Sequence, residues 1–133
     1  MCETTPTMRL ELPMDEQAPG RARRFLREAI CPVHAASVLD SAQLLVSELV
    51  TNGIRYGAPP LSVLVDCDGS AGLRVTVSDG GVRGVPRARQ AGSQEESGRG
   101  LALIDYVSDA WGIEPREEGK AVWFSLAPED EAA

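Results

Sequence analysis

Two rhythms of apolar and polar residues run along the chain and mark its elements. The stretch MRLEL (8–12) alternates apolar and polar positions and is closed by Pro13, which suits a short edge strand. DEQAPGRARRFLREAI then brings acidic residues and Pro19 to a helix start, with apolar positions at Ala22, Phe25, Leu26, Ala29 and Ile30 on one face. CPVHAA breaks that helix and leaves His34 in an interhelical loop. A second helix runs from about Val38 to Tyr56, with Ala42, Leu45, Val46, Leu49, Val50 and Gly53 along one stripe. The period then changes to two. LSVLVDC and LRVTVSD, joined by DGSAG, put Leu61, Val63, Val65 and Cys67 on one face and Leu73, Val75 and Val77 on another, and Asp79 continues the second apolar face. Residues 80 to 100 hold six glycines and one proline and read as a mobile loop of about 20 residues, a length that is usually functional inside a compact domain. SGRGLALIDYVSDAWG opens a third helix with a stripe of Leu103, Ile104, Val107 and Trp111, stopped at Gly112. IEPREEGKAVWFSL reads as a hairpin turning at Glu118 and Gly119, with Val122, Phe124 and Leu126 inward, and the tail APEDEAA is polar.

Antiparallel strands with three helices on one face predict an α+β fold, a two-layer sandwich. The 133 residues read as a single domain with a core over about 8–127, without repeats or a linker. Composition narrows the function. The formal net charge of −7 opposes binding to a phosphate backbone, so nucleic acid is not expected as a partner. The densest basic cluster, RARRFLR (21–27), reads as a solvated helix face or as a docking surface for an acidic protein. Cys2, Cys31 and Cys67 are scattered without a C-x-x-C spacing, which supports neither a disulfide framework nor a zinc site. No apolar run approaches the roughly 20 residues that span a bilayer, and the start of the chain lacks the pattern of a signal peptide, so a cytoplasmic location without a membrane partner is expected.

Three polar places interrupt this pattern. Glu48 and Asn52 stand one turn apart in ELVTNGIRYG (48–57), and with Arg55 they fall within about 60° on the flank of the apolar stripe. The pair is either an ordinary exposed i, i+4 contact, or an amide oxygen for Mg²⁺ at Asn52 with a base at Glu48. Asp79, placed on an apolar strand face, must be hydrogen-bonded or paired if it is buried. It either caps a turn with Gly80 and Gly81 or accepts from a buried donor such as the amino group of adenine. Gly98, Arg99 and Gly100 precede the third helix, where free N–H groups suit an anion, although a plain helix start explains them too. There is no G-x-x-x-x-G-K-[ST] and no G-x-G-x-x-G between a strand and a helix, which excludes the phosphate loops of the common nucleotide folds.

In order, these segments are a helix with Glu-x-x-x-Asn, a strand ending in Asp-x-Gly, a loop and a Gly-x-Gly helix start. That series resembles the Bergerat ATP-binding fold of DNA gyrase, heat-shock chaperones and sensor histidine kinases. Through ELVTNGIRYG, VSDGG and GRGLALIDYVSDAWG, it is most similar to the small anti-sigma factor serine/threonine kinases. The resemblance implies ATP and Mg²⁺ as cofactors. It implies that Glu48 polarises the attacking hydroxyl, that Asn52 holds Mg²⁺, and that Asp79 binds the adenine amino group with Gly81 flanking the ring. Gly98, Arg99, Gly100 and Leu101 would cradle the phosphates, Tyr56 would stand among the nucleotide contacts, and residues 82–97 would form a lid. The chain departs from the family pattern at Arg83, where glycine is usual and Gly84 comes one place late, and at Ala121, where a threonine often stands near the adenine.

The function implied is partner switching: the protein sequesters a sigma factor and phosphorylates a serine or threonine of an anti-anti-sigma protein. By the same resemblance, the first strand and helix would form a homodimer face. A second reading, favoured by Arg83 and Ala121, is a regulatory binding module of the same fold without kinase activity; a third is a free-standing ATPase.

Overall fold

The period-two stretches pair into one sheet because each offers a β-branched or leucine-rich face that is buried only when neighbours align it. The computed structural model describes residues 7–30, 32–68, 72–81, 102–116 and 119–127. Its strands are β1 (Met8–Leu12), β2 (Leu61–Asp68), β3 (Gly72–Asp79), β4 (Ala110–Arg116) and β5 (Gly119–Leu126). They form a five-stranded sheet in the order β1-β2-β3-β5-β4, every pairing antiparallel. Helices α1 (Ala18–Ala29) and α2 (Pro32–Tyr56), with a short α3 over residues 102–107, supply the second layer. The fold is the α+β two-layer sandwich that the sequence pattern predicts.

The core lies between the sheet and the helices. Leu61, Val63 and Val65 of β2, Leu73, Val75 and Val77 of β3, and Val122, Phe124 and Leu126 of β5 meet Ala22 and Leu26 of α1, Leu45, Val46, Leu49 and Val50 of α2, and Ile104 of α3. Each large side chain among them contributes about 1.5–3 kcal/mol by leaving water. The opposite sheet face carries polar and amphipathic residues, including Arg74, whose guanidinium lies 4.1 Å from the ring centre of Trp123. No helix among the described residues is long and apolar enough to cross a membrane.

Two boundaries differ from the sequence pattern. The second helix begins at Pro32 rather than near Val38, so position 34 lies in a helix and not in a loop. Proline is compatible with a first helical turn because the N–H it lacks would have no partner there, so Pro32 opens the helix instead of holding it off. The third helix gives way before Gly112: the Ser108 hydroxyl donates to the Ile104 carbonyl at 2.6 Å, and the Asp109 N–H turns to the Ser125 carbonyl at 2.9 Å. From Ala110 the chain is already strand, and Trp111 faces the core from β4, opposite Phe124, rather than from a helical stripe. Pairing with β5 satisfies a whole row of backbone groups, which outweighs the helical propensity of the segment. Pro115 is tolerated because β4 is an edge strand.

Gly119 opens β5 with φ +118°, and a Cβ there would stand 1.9 Å from the Asp79 carbonyl oxygen. This glycine lets β5 begin tight against the end of β3. Gly119→Ala should therefore destabilise the protein by more than about 1 kcal/mol, and Phe124→Ala by about 3–5 kcal/mol. Urea unfolding should show both as lower midpoints at an unchanged slope.

Candidate functional site

Asp79 ends β3 on the face that packs against the helices, since it follows Leu73, Val75 and Val77 by steps of two. Its partner across the ladder is Lys120 of β5, on the same face as Val122, Phe124 and Leu126. Nζ of Lys120 lies 2.6 Å from Oδ2 of Asp79, and the two side chains are only 7% and 4% exposed. The other carboxylate oxygen, Oδ1, accepts the Gly81 N–H at 2.8 Å. Asp79 is thus the buried, paired carboxylate that its position on the strand demands.

The end of α2 closes over this pair. A Cβ on Gly57 would come within 2.5 Å of Cγ, 2.6 Å of Oδ1 and 2.7 Å of Oδ2 of Asp79, so only glycine lets the chain lie directly on the carboxylate. The Gly80 N–H donates to the Ala58 carbonyl at 2.7 Å and ties the two segments together. A helix C-terminus carries partial negative charge and so disfavours a neighbouring carboxylate; the Lys120 ammonium offsets both. Removing one member of such a pair leaves a bare buried charge, at a cost of about 3–5 kcal/mol.

On α2 itself, Glu48 and Asn52 are half-buried on one flank, and Tyr56, the last helical residue, is half-buried one turn further on. Arg55 is exposed. Neither the Glu48 nor the Asn52 side chain forms a hydrogen bond or ion pair among the described residues, so both polar groups remain available to a ligand. With a rise of about 1.5 Å per residue, Asn52 stands roughly 7 Å and Glu48 roughly 13 Å along the helix from the Gly57 end. The donors fit Mg²⁺ in one respect: this cation commonly takes one or two protein oxygens and fills its remaining positions with water and substrate phosphates. Asn52 supplies such an oxygen, and the described residues contain no group of three or more His, Cys, Asp or Glu that would form an all-protein cage.

The structure therefore brings Asp79, Gly81, Gly57 and Lys120 together, with Glu48, Asn52 and Tyr56 on the helix that covers them. Gly98, Arg99, Gly100 and Leu101, the segment 82–97 with Arg83, and Gly84 lie outside the described residues. Ala121 pairs with Ser78 and so faces away from Asp79; the position beside the carboxylate is Lys120. Sequence reasoning missed Lys120 and Gly57. The signal for Lys120 was present, because it has the parity of Val122, Phe124 and Leu126 and a lysine at an inward position needs a partner.

A separate cleft of about 170 Å³ lies between β1 and α1, lined by Leu10, Glu11, Arg21, Arg24, Phe25 and Glu28. Arg23 instead reaches α2, where its Nη1 donates to Ser47 Oγ at 2.9 Å. The basic cluster of α1 is thus partly interleaved with acids and partly tied to the neighbouring helix.

Comparison with known proteins bears on this geometry. The family model for the histidine kinase-like ATPase domain matches residues 12–126. A comparison with curated proteins gave no match. Among solved structures, the RsbU and RsbW domains of Rv1364c from Mycobacterium tuberculosis are similar, with a TM-score of 0.68 and 18% identity over 93% of this chain. The match covers 32% of the length of that two-domain chain, and at this identity the likeness speaks to the fold. With the matched segment running from the end of β1 to the end of β5, the chain belongs to the histidine kinase-like ATPase domain family and is an ATP-binding domain of that kind.

Proposed function

We propose that the chain binds ATP with Mg²⁺ between α2 and the Asp79 end of the sheet, and that it is a serine/threonine kinase acting by partner switching. The observation that carries this reading is the buried Asp79 carboxylate, held at the end of β3 against the backbone of Gly57 and Gly81. Gly57 and Gly81 bring main chain, with no side chain between, up to the carboxylate. The sequence resemblance to the anti-sigma factor kinases supports the kinase part, as does the structural likeness to a chain containing an RsbW domain.

In this reading Asp79 accepts from the adenine amino group and Gly81 flanks the ring. Tyr56 closes the near side, and Gly98, Arg99, Gly100 and Leu101 hold the phosphates. Asn52 offers its amide oxygen to the metal. Bound Mg²⁺ neutralises phosphate charge, while the protein contributes mostly position. Glu48, one turn before Asn52, orients and polarises the hydroxyl of the acceptor serine or threonine. The acceptor is an anti-anti-sigma protein and the sequestered partner a sigma factor, with a homodimer as the unit that engages it.

One observation favours a second reading, a protein-binding module without kinase activity: Oδ2 of Asp79 accepts from Lys120 within the chain itself. Incubation with labelled ATP and anti-anti-sigma proteins separates the two, since only the kinase transfers label to a partner.

Glu48→Ala should lower phosphotransfer by about 10²- to 10⁴-fold, the usual range for loss of a positioned base, with ATP affinity nearly unchanged. Unaltered transfer would remove Glu48 from that role. In calorimetric titration, Asn52→Ala should abolish the Mg²⁺-dependent gain in ATP affinity. Asp79→Asn should weaken ATP by roughly 10- to 100-fold, matching loss of a charge-assisted hydrogen bond. Asparagine is more informative than alanine there, because its amide oxygen can still accept from the Lys120 ammonium although the counter-charge is lost in both; thermal unfolding checks that the variant folds.

A further inference from the structure

Lys120 has more hydrogen-bonding capacity than its surroundings use. An ammonium carries three N–H donors. Among the described residues one of them meets Asp79 Oδ2 and the others meet no acceptor, on a side chain that is only 7% exposed. Each oxygen of Asp79 in turn takes a single donor, Gly81 N–H on Oδ1 and Lys120 on Oδ2. A buried pair therefore offers spare donors and spare acceptors side by side. Buried polar groups seldom stay unsatisfied, so this arrangement calls for a ligand edge with the opposite pattern.

Taking the ATP site of the preceding section as its basis, we infer that Lys120 is a specificity-determining residue that reads the nucleobase together with Asp79. Asp79 accepts from the exocyclic amine of adenine, and Lys120 donates to the adjacent ring nitrogen N1. The two base positions are neighbours, as are the ammonium and the carboxylate. Guanine carries the reverse order at those positions, an oxygen acceptor where adenine has its amine and an N–H where adenine has N1. In the same orientation it would set its oxygen against the carboxylate and its N–H against the ammonium. A site built to hydrogen-bond a given edge rejects analogues that leave its buried groups unpaired. Lys120 also explains how Asp79 stays buried between nucleotide-binding events, because the pair satisfies its charge in the absence of a base.

The test is calorimetric titration of the full chain with ATP, GTP and 1-deaza-ATP, in which a C–H replaces N1 and the amine is kept. Wild type should bind ATP roughly 10- to 100-fold more tightly than 1-deaza-ATP, the effect of losing one hydrogen bond to a charged donor, with GTP no tighter than 1-deaza-ATP. In Lys120→Met, with folding checked by thermal unfolding, the preference for ATP over 1-deaza-ATP should fall to about one. Equal binding of ATP and 1-deaza-ATP by wild type overturns the role of Lys120 while leaving the ATP site intact. So does a preference that persists in the variant, or GTP binding as tight as ATP. Should Lys120→Met not fold, the wild-type comparison decides alone. If wild type binds none of the three, the site reading itself fails, and the base-reading role with it.

Discussion

A carboxylate and an ammonium buried together at the end of a sheet set the terms for everything around them. Asp79 and Lys120 stand opposite each other across the β3–β5 ladder, both inward, both nearly inaccessible to water. Such a pair is not a strong source of stability, because desolvation consumes most of its attraction. Its value lies in what it compels. The ladder register must bring the two residues level, since a one-residue slip would turn one of them to the opposite face. The chain after α2 must pass without a side chain, hence Gly57, and β5 must begin at a left-handed residue, hence Gly119. Three segments distant in sequence are fixed to one point by the needs of two charges.

That fixed point organises the rest of the site. The last turns of α2 are anchored against the sheet by Leu49, Val50 and the close approach at Gly57, so the flank bearing Glu48 and Asn52 is held at a set height above it. A rigid helix positions polar groups better than a loop does, because its rotamers and spacing are constrained by packing. Glu48 and Asn52, without partners among the described residues, sit on that helix, while Asp79 and Lys120 beneath it are paired with each other. This division suits a site that reads one part of a ligand through fixed hydrogen bonds and leaves reactive groups free for another.

Much of the architecture was legible in the sequence because periodicity reports burial directly. The stripe Ala42, Leu45, Val46, Leu49, Val50 on α2 and the alternating valines of β2 and β3 are buried as their spacing requires. Asp79 was legible for the same reason, as a charge on an apolar face. Three features were not, each for a physical cause. Pro32 reads as a breaker although a first-turn proline costs a helix nothing, so α2 starts early. Trp111 fits a helical stripe and a strand face alike, and only the pairing of β4 with β5, a long-range contact, decides between them. Lys120 was passed over because a lone lysine reads as surface; its partner lies 41 positions earlier, and only the ladder register reveals the match. Residues 98–101, the expected phosphate cradle, lie outside the described residues, so that part of the site rests on its sequence motif.

The central claim is that the nucleotide base seats on Asp79 beneath the end of α2. Backbone amide chemical shifts followed by NMR during an ATP titration test it most directly. The account predicts the largest shifts at Gly57, Gly81 and Lys120, with smaller ones at Asn52 and little change at Arg21 and Arg24 in the β1–α1 cleft. Shifts concentrated in that cleft, with Gly57, Gly81 and Lys120 unmoved, would contradict it.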